Sequence, residues 1–136
     1  EFFRKLNKPI LRWLDKKRRK LKKRFRYHGR LGKKPRIIHW LHVEGAGRHT
    51  IKGRIINRRS VVINIDHPER IKTINIYLGR KNFDMGRRRV NVTVNGRHFT
   101  FPVREKASAI LDSYNITRDL RRVFTAKITV AGNRIR

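Results

Sequence analysis

Val90-Asn91-Val92-Thr93-Val94-Asn95-Gly96-Arg97-His98-Phe99-Thr100-Phe101 carries two alternating apolar and polar runs on either side of an Asn-Gly pair. A period of two places Val90, Val92 and Val94 on one face of a strand and Asn91 and Thr93 on the other. Asn-Gly suits a two-residue turn, because both central positions of a type I′ turn need positive φ. The stretch predicts an antiparallel hairpin. Pro102, just beyond it, belongs where no ladder bond is needed.

Outward from this hairpin the same period recurs. Ile74, Ile76 and Leu78 alternate with Asn75 and Tyr77, and Phe124, Ala126, Ile128 and Val130 alternate with Thr125, Lys127 and Thr129. Runs at 37–43, 50–56 and 60–65 are rich in Ile and Val and are bounded by turn residues. Each reads as a half-buried antiparallel strand. About seven short strands over roughly 95 residues predict a mainly β chain folded as a β-sandwich. Residues 105–122 break the alternation, and Ala107, Ile110, Leu111 and Tyr114 fit a helical turn or a long crossover.

Before this region the period changes. Phe2, Leu6, Ile10, Trp13, Leu14, Leu21 and Phe25 recur close to every 3.6 residues. This predicts a basic amphipathic α-helix over 9–26 with Pro9 in its first turn. Like charges crowd around that helix at i,i+3 and i,i+4, so it needs a partner surface to form. Gly29, Gly32 and the shift at Lys33-Lys34-Pro35 mark a joint. The joint divides the chain into a basic N-terminal helix and arm, 1–36, and a β-sandwich domain, 37–136.

The charge is extreme. In 136 residues there are 38 Lys and Arg against 9 Asp and Glu, a formal net charge of +29. A small soluble domain usually carries a net charge of about 2 to 8, so the excess implies a polyanion close by. Candidate phosphate contacts in the arm are Lys16, Lys17, Arg18, Arg19, Lys20, Lys22, Lys23, Arg24 and Arg26. The joint adds Arg30, Lys33, Lys34 and Arg36. Arg58, Arg59, Arg87, Arg88 and Arg89 stand beside strand ends, where a planar guanidinium can grip phosphate with two hydrogen bonds. Trp13, Phe25, Tyr27 and Trp40 are interleaved with these cations. They suit either base stacking or the core.

Other chemistry finds little support. The chain has no Cys, which excludes a disulfide scaffold, a Cys-ligated zinc site and a Cys nucleophile. His39 and His42 are three apart, a spacing that points them to opposite faces of a strand. We expect no metal, no cofactor and no catalytic residue. Gly45-Ala46-Gly47-Arg48 lacks the rest of a Gly-x-Gly-x-x-Gly loop and a helix behind it, and reads as a hairpin turn. Asn91-Val92-Thr93 and Asn115-Ile116-Thr117 match the short glycosylation acceptor pattern. No apolar run approaches the roughly 20 residues of a membrane span.

Residues 50–130 resemble the small C-terminal β-sandwich that follows the catalytic domain in some secreted α/β-hydrolases of the polyhydroxybutyrate-depolymerase-like and prolyl-oligopeptidase-like group. The likeness lies in Ile74-Asn75-Ile76-Tyr77-Leu78, Phe83-Asp84-Met85, the run from Val90 to Gly96, Arg118-Asp119, and Phe124 to Val130. The resemblance implies an immunoglobulin-like fold, a secreted origin and no catalysis, since that group's catalytic residues lie in the hydrolase domain. No Gly-x-Ser-x-Gly is present.

The composite expectation is a non-enzymatic, structural nucleic-acid-binding protein. It would contact the phosphate backbone of RNA or DNA without regard to sequence, as part of a coat, a packaging filament or a ribosome-like particle. Its other partners would be protein subunits, copies of itself included. The alternatives are a cationic module on an anionic membrane, ranked lower, or on an acidic polysaccharide, and an accessory β-sandwich interaction domain.

Overall fold

The computed structural model describes residues 22–32 and 34–136. Most of the helix expected at 9–26, together with Lys16–Lys20 and Lys33, lies outside the described residues.

The Asn-Gly hairpin forms as the sequence dictates. Asn95 and Gly96 take φ of 50° and 82° and join β6 (Arg89–Val94) to β7 (Arg97–Pro102), with Val94 paired to Arg97. The Asn95 side chain does further work: its Oδ1 accepts the Ile65 N–H at 2.8 Å and its Nδ2 donates to Ile65 O at 3.0 Å. That clamps the turn to β4 (Ser60–Ile65).

The described chain is mainly β, in two sheets with one α-helix. The larger sheet has the order β1-β3-β4-β6-β7, where β1 is Arg24–Leu31 and β3 is Gly47–Ile56. The smaller has the order β2-β5-β8, from Leu41–Gly45, Ile71–Leu78 and Ala126–Ala131. Pro102 ends β7, an edge strand, where its missing N–H disturbs no ladder. One buried cluster takes side chains from both sheets, among them Ile51, Ile63 and Val92 from the larger and Ile74, Ile76 and Val130 from the smaller. Burying each such side chain is worth about 1.5–3 kcal/mol, so this shared cluster is what holds the sheets together. Helix α1 (Ala107–Thr117) occupies the stretch without alternation. Its buried Ser113 accepts the Phe124 N–H at 3.0 Å and donates to Ala109 O at 2.8 Å, tying the helix to the approach to β8.

Three expectations are corrected. Residues 24–26 are strand, not the end of a helix, and the sheet begins well before residue 37. Phe25 lies at helical spacing from Leu21 but also at strand spacing from Tyr27. The slot it fills decides the matter: its ring packs edge-on to Trp40, centroids 5.2 Å apart. A Cβ on Gly53 of β3 would come within 2.8 Å of that ring. The joint near Gly29 and Gly32 thus falls within and just after β1 rather than ahead of a separate domain. Two hydrogen bonds anchor the start of β1, the Trp40 side-chain Nε1 donating to Lys22 O at 3.1 Å and the Ile55 N–H to Lys23 O at 2.9 Å.

The second correction is one of direction. β4 and β6 run parallel, Ser60 beside Asn91 and Ile63 beside Val94, whereas the alternation by itself predicts antiparallel strands. Period two reports which face is buried, and both directions share it. Third, Gly45-Ala46-Gly47 is not a hairpin turn. β2 and β3 belong to different sheets, and the chain crosses between them at Ala46, with Gly47 at φ 84°.

Candidate nucleic-acid interface

In β1 the sequence Arg24-Phe25-Arg26-Tyr27-His28-Gly29-Arg30 turns Phe25 and Tyr27 inward and exposes Arg24, Arg26, His28 and Arg30. In β3 the sequence Arg48-His49-Thr50-Ile51-Lys52-Gly53-Arg54 buries His49, Ile51 and Gly53 and leaves Arg48, Lys52 and Arg54 exposed. The register brings the two outward rows face to face. Arg24 lies opposite Arg54, Arg26 opposite Lys52, His28 opposite Thr50 and Arg30 opposite Arg48.

This is a ladder of like charges. Three of its four rungs set cation directly against cation, an arrangement that destabilises a sheet by itself. The remaining rung is neutral and bonded, His28 Nδ1 to Thr50 Oγ1 at 2.8 Å. No Asp or Glu occupies an outward position on β1, β3 or β4. An acid stands at the end of β4, where Asp66 Oδ1 accepts the Thr50 N–H at 2.8 Å and sits 3.3 Å from His49 Nδ1. Partial desolvation works against ionisation of Asp66, but the Thr50 bond and the neighbouring His67 and His49 rings outweigh it and hold its carboxyl below the usual range. An edge strand is often blunted by charge. Edge protection accounts for β1 alone, not for the matching cations on β3 behind it.

The ladder joins two further groups of cations. At the end where β1 begins, the β3–β4 loop carries Arg58 and Arg59, and Arg87 and Arg88 lead into Arg89, the first residue of β6, which runs parallel to β4. Lys22, Lys23 and Arg24 enter at this same end, through the Lys23–Ile55 bond. Arg58 is committed in part to structure: its guanidinium donates to Phe83 O at 3.1 Å and also to Arg80 O, while its own carbonyl accepts the Asp84 N–H at 2.8 Å. Arg59, Arg87, Arg88 and Arg89 are exposed. At the other end lie Arg30, Lys34 and Arg36, where the Arg36 guanidinium stands 5.7 Å from the centroid of the Tyr27 ring. At about 3.4 Å per residue the eight residues of β1 span roughly 24 Å between these ends.

Of the aromatic candidates, Phe25 and Trp40 are core residues, and Tyr27 is half-buried at the sheet edge. Trp13 is outside the described residues. Arg48, Lys52 and Arg54 complete the ladder and were not among the candidates drawn from sequence. Their signal was present as the alternation Arg48-x-Thr50-x-Lys52-x-Arg54, visible only once 47–56 is known to be one strand. Among the described residues no group of three His, Asp or Glu side chains gathers as a metal site.

No protein-family model, no curated protein and no solved structure shows significant similarity to the chain.

Proposed function

We propose that this chain is a non-enzymatic nucleic-acid-binding structural protein that holds the phosphate backbone along the β1–β3 ladder. One observation carries the reading: six cations, Arg24, Arg26, Arg30, Arg48, Lys52 and Arg54, share one sheet face, three facing pairs of them, with no carboxylate in the ladder. Such a face is unfavourable bare and favourable against a chain of anions. Successive outward residues are about 6.8 Å apart along a strand, the order of the step between phosphates in an extended nucleic-acid strand. Of the outward residues on β1, β3 and β4 only Ile56 and Val62 are apolar. That favours an aqueous polyanion over a bilayer, which would need an apolar face to insert. Contacts of this kind read charge and not sequence.

The two sheets fit the expected β-sandwich and, within this proposal, an immunoglobulin-like module. Two sheets sharing one buried cluster support that reading, while the division into five and three strands and the parallel β4–β6 pair depart from the usual plan.

The test is the salt dependence of binding of the full chain to short RNA and DNA oligonucleotides, followed by fluorescence anisotropy. Six phosphate contacts alone give a log–log slope of about −4 on single strands and about −5 on duplex, and the end clusters steepen it. A slope shallower than about −3, or a strong preference for one base sequence, would overturn the proposal. Tight binding to anionic vesicles with none to nucleic acid would move the face to a membrane.

A further inference from the structure

The ladder leads into a cleft. Arg30 lines a cavity of about 820 Å³ that opens between the edge strands β1 and β2 and is bordered by Lys34, Pro35 and Arg36 between them. Its size lies within the range of ligand sites, about 300–1,000 Å³. Tyr27, Arg36, His42, Glu44 and Lys72 also line it.

Three features give the cleft a chemistry distinct from the ladder. The first is a cation–ring pair: the Arg36 guanidinium carbon stands over the Tyr27 ring, 5.7 Å from its centroid. The ring itself lies along its own strand because Gly29 has no side chain, and a Cβ there would fall 2.7 Å from Tyr27 Oη. Phenol and guanidinium planes are the surfaces on which unpaired bases stack.

The second is a bulge. Glu44 pairs with Thr73 and Gly45 with Ile71, so Lys72 is skipped in the ladder. Bulges re-aim side chains, and here both Glu44 and Lys72 border the cavity.

The third is a fixed donor. Thr129 Oγ1 donates to Asn75 Oδ1 at 2.8 Å, which leaves the Asn75 amide N–H to reach His42 Nδ1 at 3.4 Å. The proton of a neutral His42 is then on Nε2. Burial pushes its pKa down and Lys127 adds to this, while Glu44 acts the other way, so the ring is neutral near pH 7.

A carboxylate is out of place in a pocket for phosphate alone. Beside a neutral imidazole donor it suits the edge of a base, where an acid accepts from an exocyclic amine. We infer that the cleft is a subsite for one unpaired nucleotide of the strand whose backbone lies on the ladder, with the base stacked on the Tyr27–Arg36 pair and its amine facing Glu44. This inference rests on the nucleic-acid reading and adds a preference for single strands, since a paired base must first leave its stack at a cost of a few kcal/mol.

The experiment compares a single-stranded cytosine-rich oligonucleotide carrying one 2-aminopurine with its duplex, at equal salt, using the full chain. The expected result is at least about 10-fold tighter binding of the single strand, equivalent to about 1.4 kcal/mol, with the 2-aminopurine emission quenched on binding. Glu44→Ala gives the decisive sign. Removing an acid from a basic surface should tighten binding of every polyanion, whereas loss of the subsite loosens the single strand relative to the duplex. Tyr27→Leu should act in the same direction, and Glu44→Ala, at an exposed residue, carries the test if the Tyr27 variant does not fold. Equal affinities with unchanged emission, or Glu44→Ala tightening both forms alike, would overturn the cleft subsite and leave the ladder standing. Binding of neither form would overturn the ladder reading and this one with it.

Discussion

The outward face of the larger sheet is built on two opposite principles. On β1 and β3, three of the four facing outward pairs set cation against cation and repel. On β6 and β7, they bond: Thr100 Oγ1 donates to Asn91 Oδ1 at 3.2 Å, and Thr93 Oγ1 meets His98 Nδ1 at 2.9 Å. The strands, the hydrogen-bond ladder and the solvent are the same. The bonded pairs of β6 and β7 stabilise the sheet, and the facing cations of β1 and β3 work against it. Under the proposed function an anion lies between the facing cations, and the difference then divides a binding half from a folding half.

The largest expected effect follows from inverting the charged half. Arg26→Glu with Arg54→Glu places a carboxylate opposite Lys52 and another opposite Arg24. Nucleic-acid affinity at low salt should fall on the order of 100-fold, with the salt slope flattening by two units or more. The melting temperature of the free protein should rise, because two repulsive rungs become attractive. Affinity and stability moving in opposite directions is the signature sought. If both fall together, the ladder is structural.

Inverting the test on the neutral half gives the next effect. Asn91→Ala with Thr93→Ala removes two cross-strand bonds and should cost about 1–2 kcal/mol in denaturant unfolding. Anisotropy should find nucleic-acid affinity changed by less than about 2-fold, since no phosphate contact is lost. A larger loss would extend the binding face across β6 and break the contrast between the halves.

A smaller effect isolates the repulsion itself. Arg26→Thr should stabilise the free chain by about 0.2–1 kcal/mol in low salt. The gain should shrink as added salt shortens the reach of the charges to a few ångströms. Differential scanning calorimetry at two salt concentrations reads both. A gain that is independent of salt would mean that Arg26 is disfavoured by packing and not by charge.

Much of this fold is legible in the sequence because one face of each strand is buried and the alternation says so. Ile74, Ile76, Val90, Val92 and the Asn95-Gly96 turn announce themselves. β1 does not, because its outward residues are all basic and merge with the Lys-Arg run before them. A strand whose outward positions are Arg24, Arg26, His28 and Arg30 looks, by composition, like the tail of a cationic helix. Only Phe25 between Gly53 and Trp40, a contact between distant parts of the chain, separates the two. The ladder was hidden for the same reason: facing is a property of register, and register between 24–31 and 47–56 is set by tertiary packing. Arg58, Arg59 and Arg87–Arg89 were legible as cations, but not as neighbours, because their meeting depends on the parallel β4–β6 pair.

The smallest effect concerns Asp66, the acid that closes β4 beside the neutral rung of the ladder. Its carboxylate accepts the Thr50 N–H and faces the buried His49, which fixes the backbone at the point where Thr50 meets His28. The folded-state pKa is below the ordinary 3.8, so the unfolded chain takes up the proton more readily. Stability from this group is therefore complete above that value and is lost as the pH falls below it. Asp66→Asn should lower the melting temperature slightly at pH 6, and the gap to the unaltered chain should close as the pH drops through the range below 3.8. The residue is well exposed to solvent, so added salt should narrow the gap as well. Because the Asp66 carboxylate is hydrogen-bonded to Thr50 of the ladder, its loss should also tighten polyanion binding modestly. A gap that persists unchanged at acid pH would show that Asp66 acts through the shape of its turn, and the charged half of the sheet would then have no acidic boundary of electrostatic consequence.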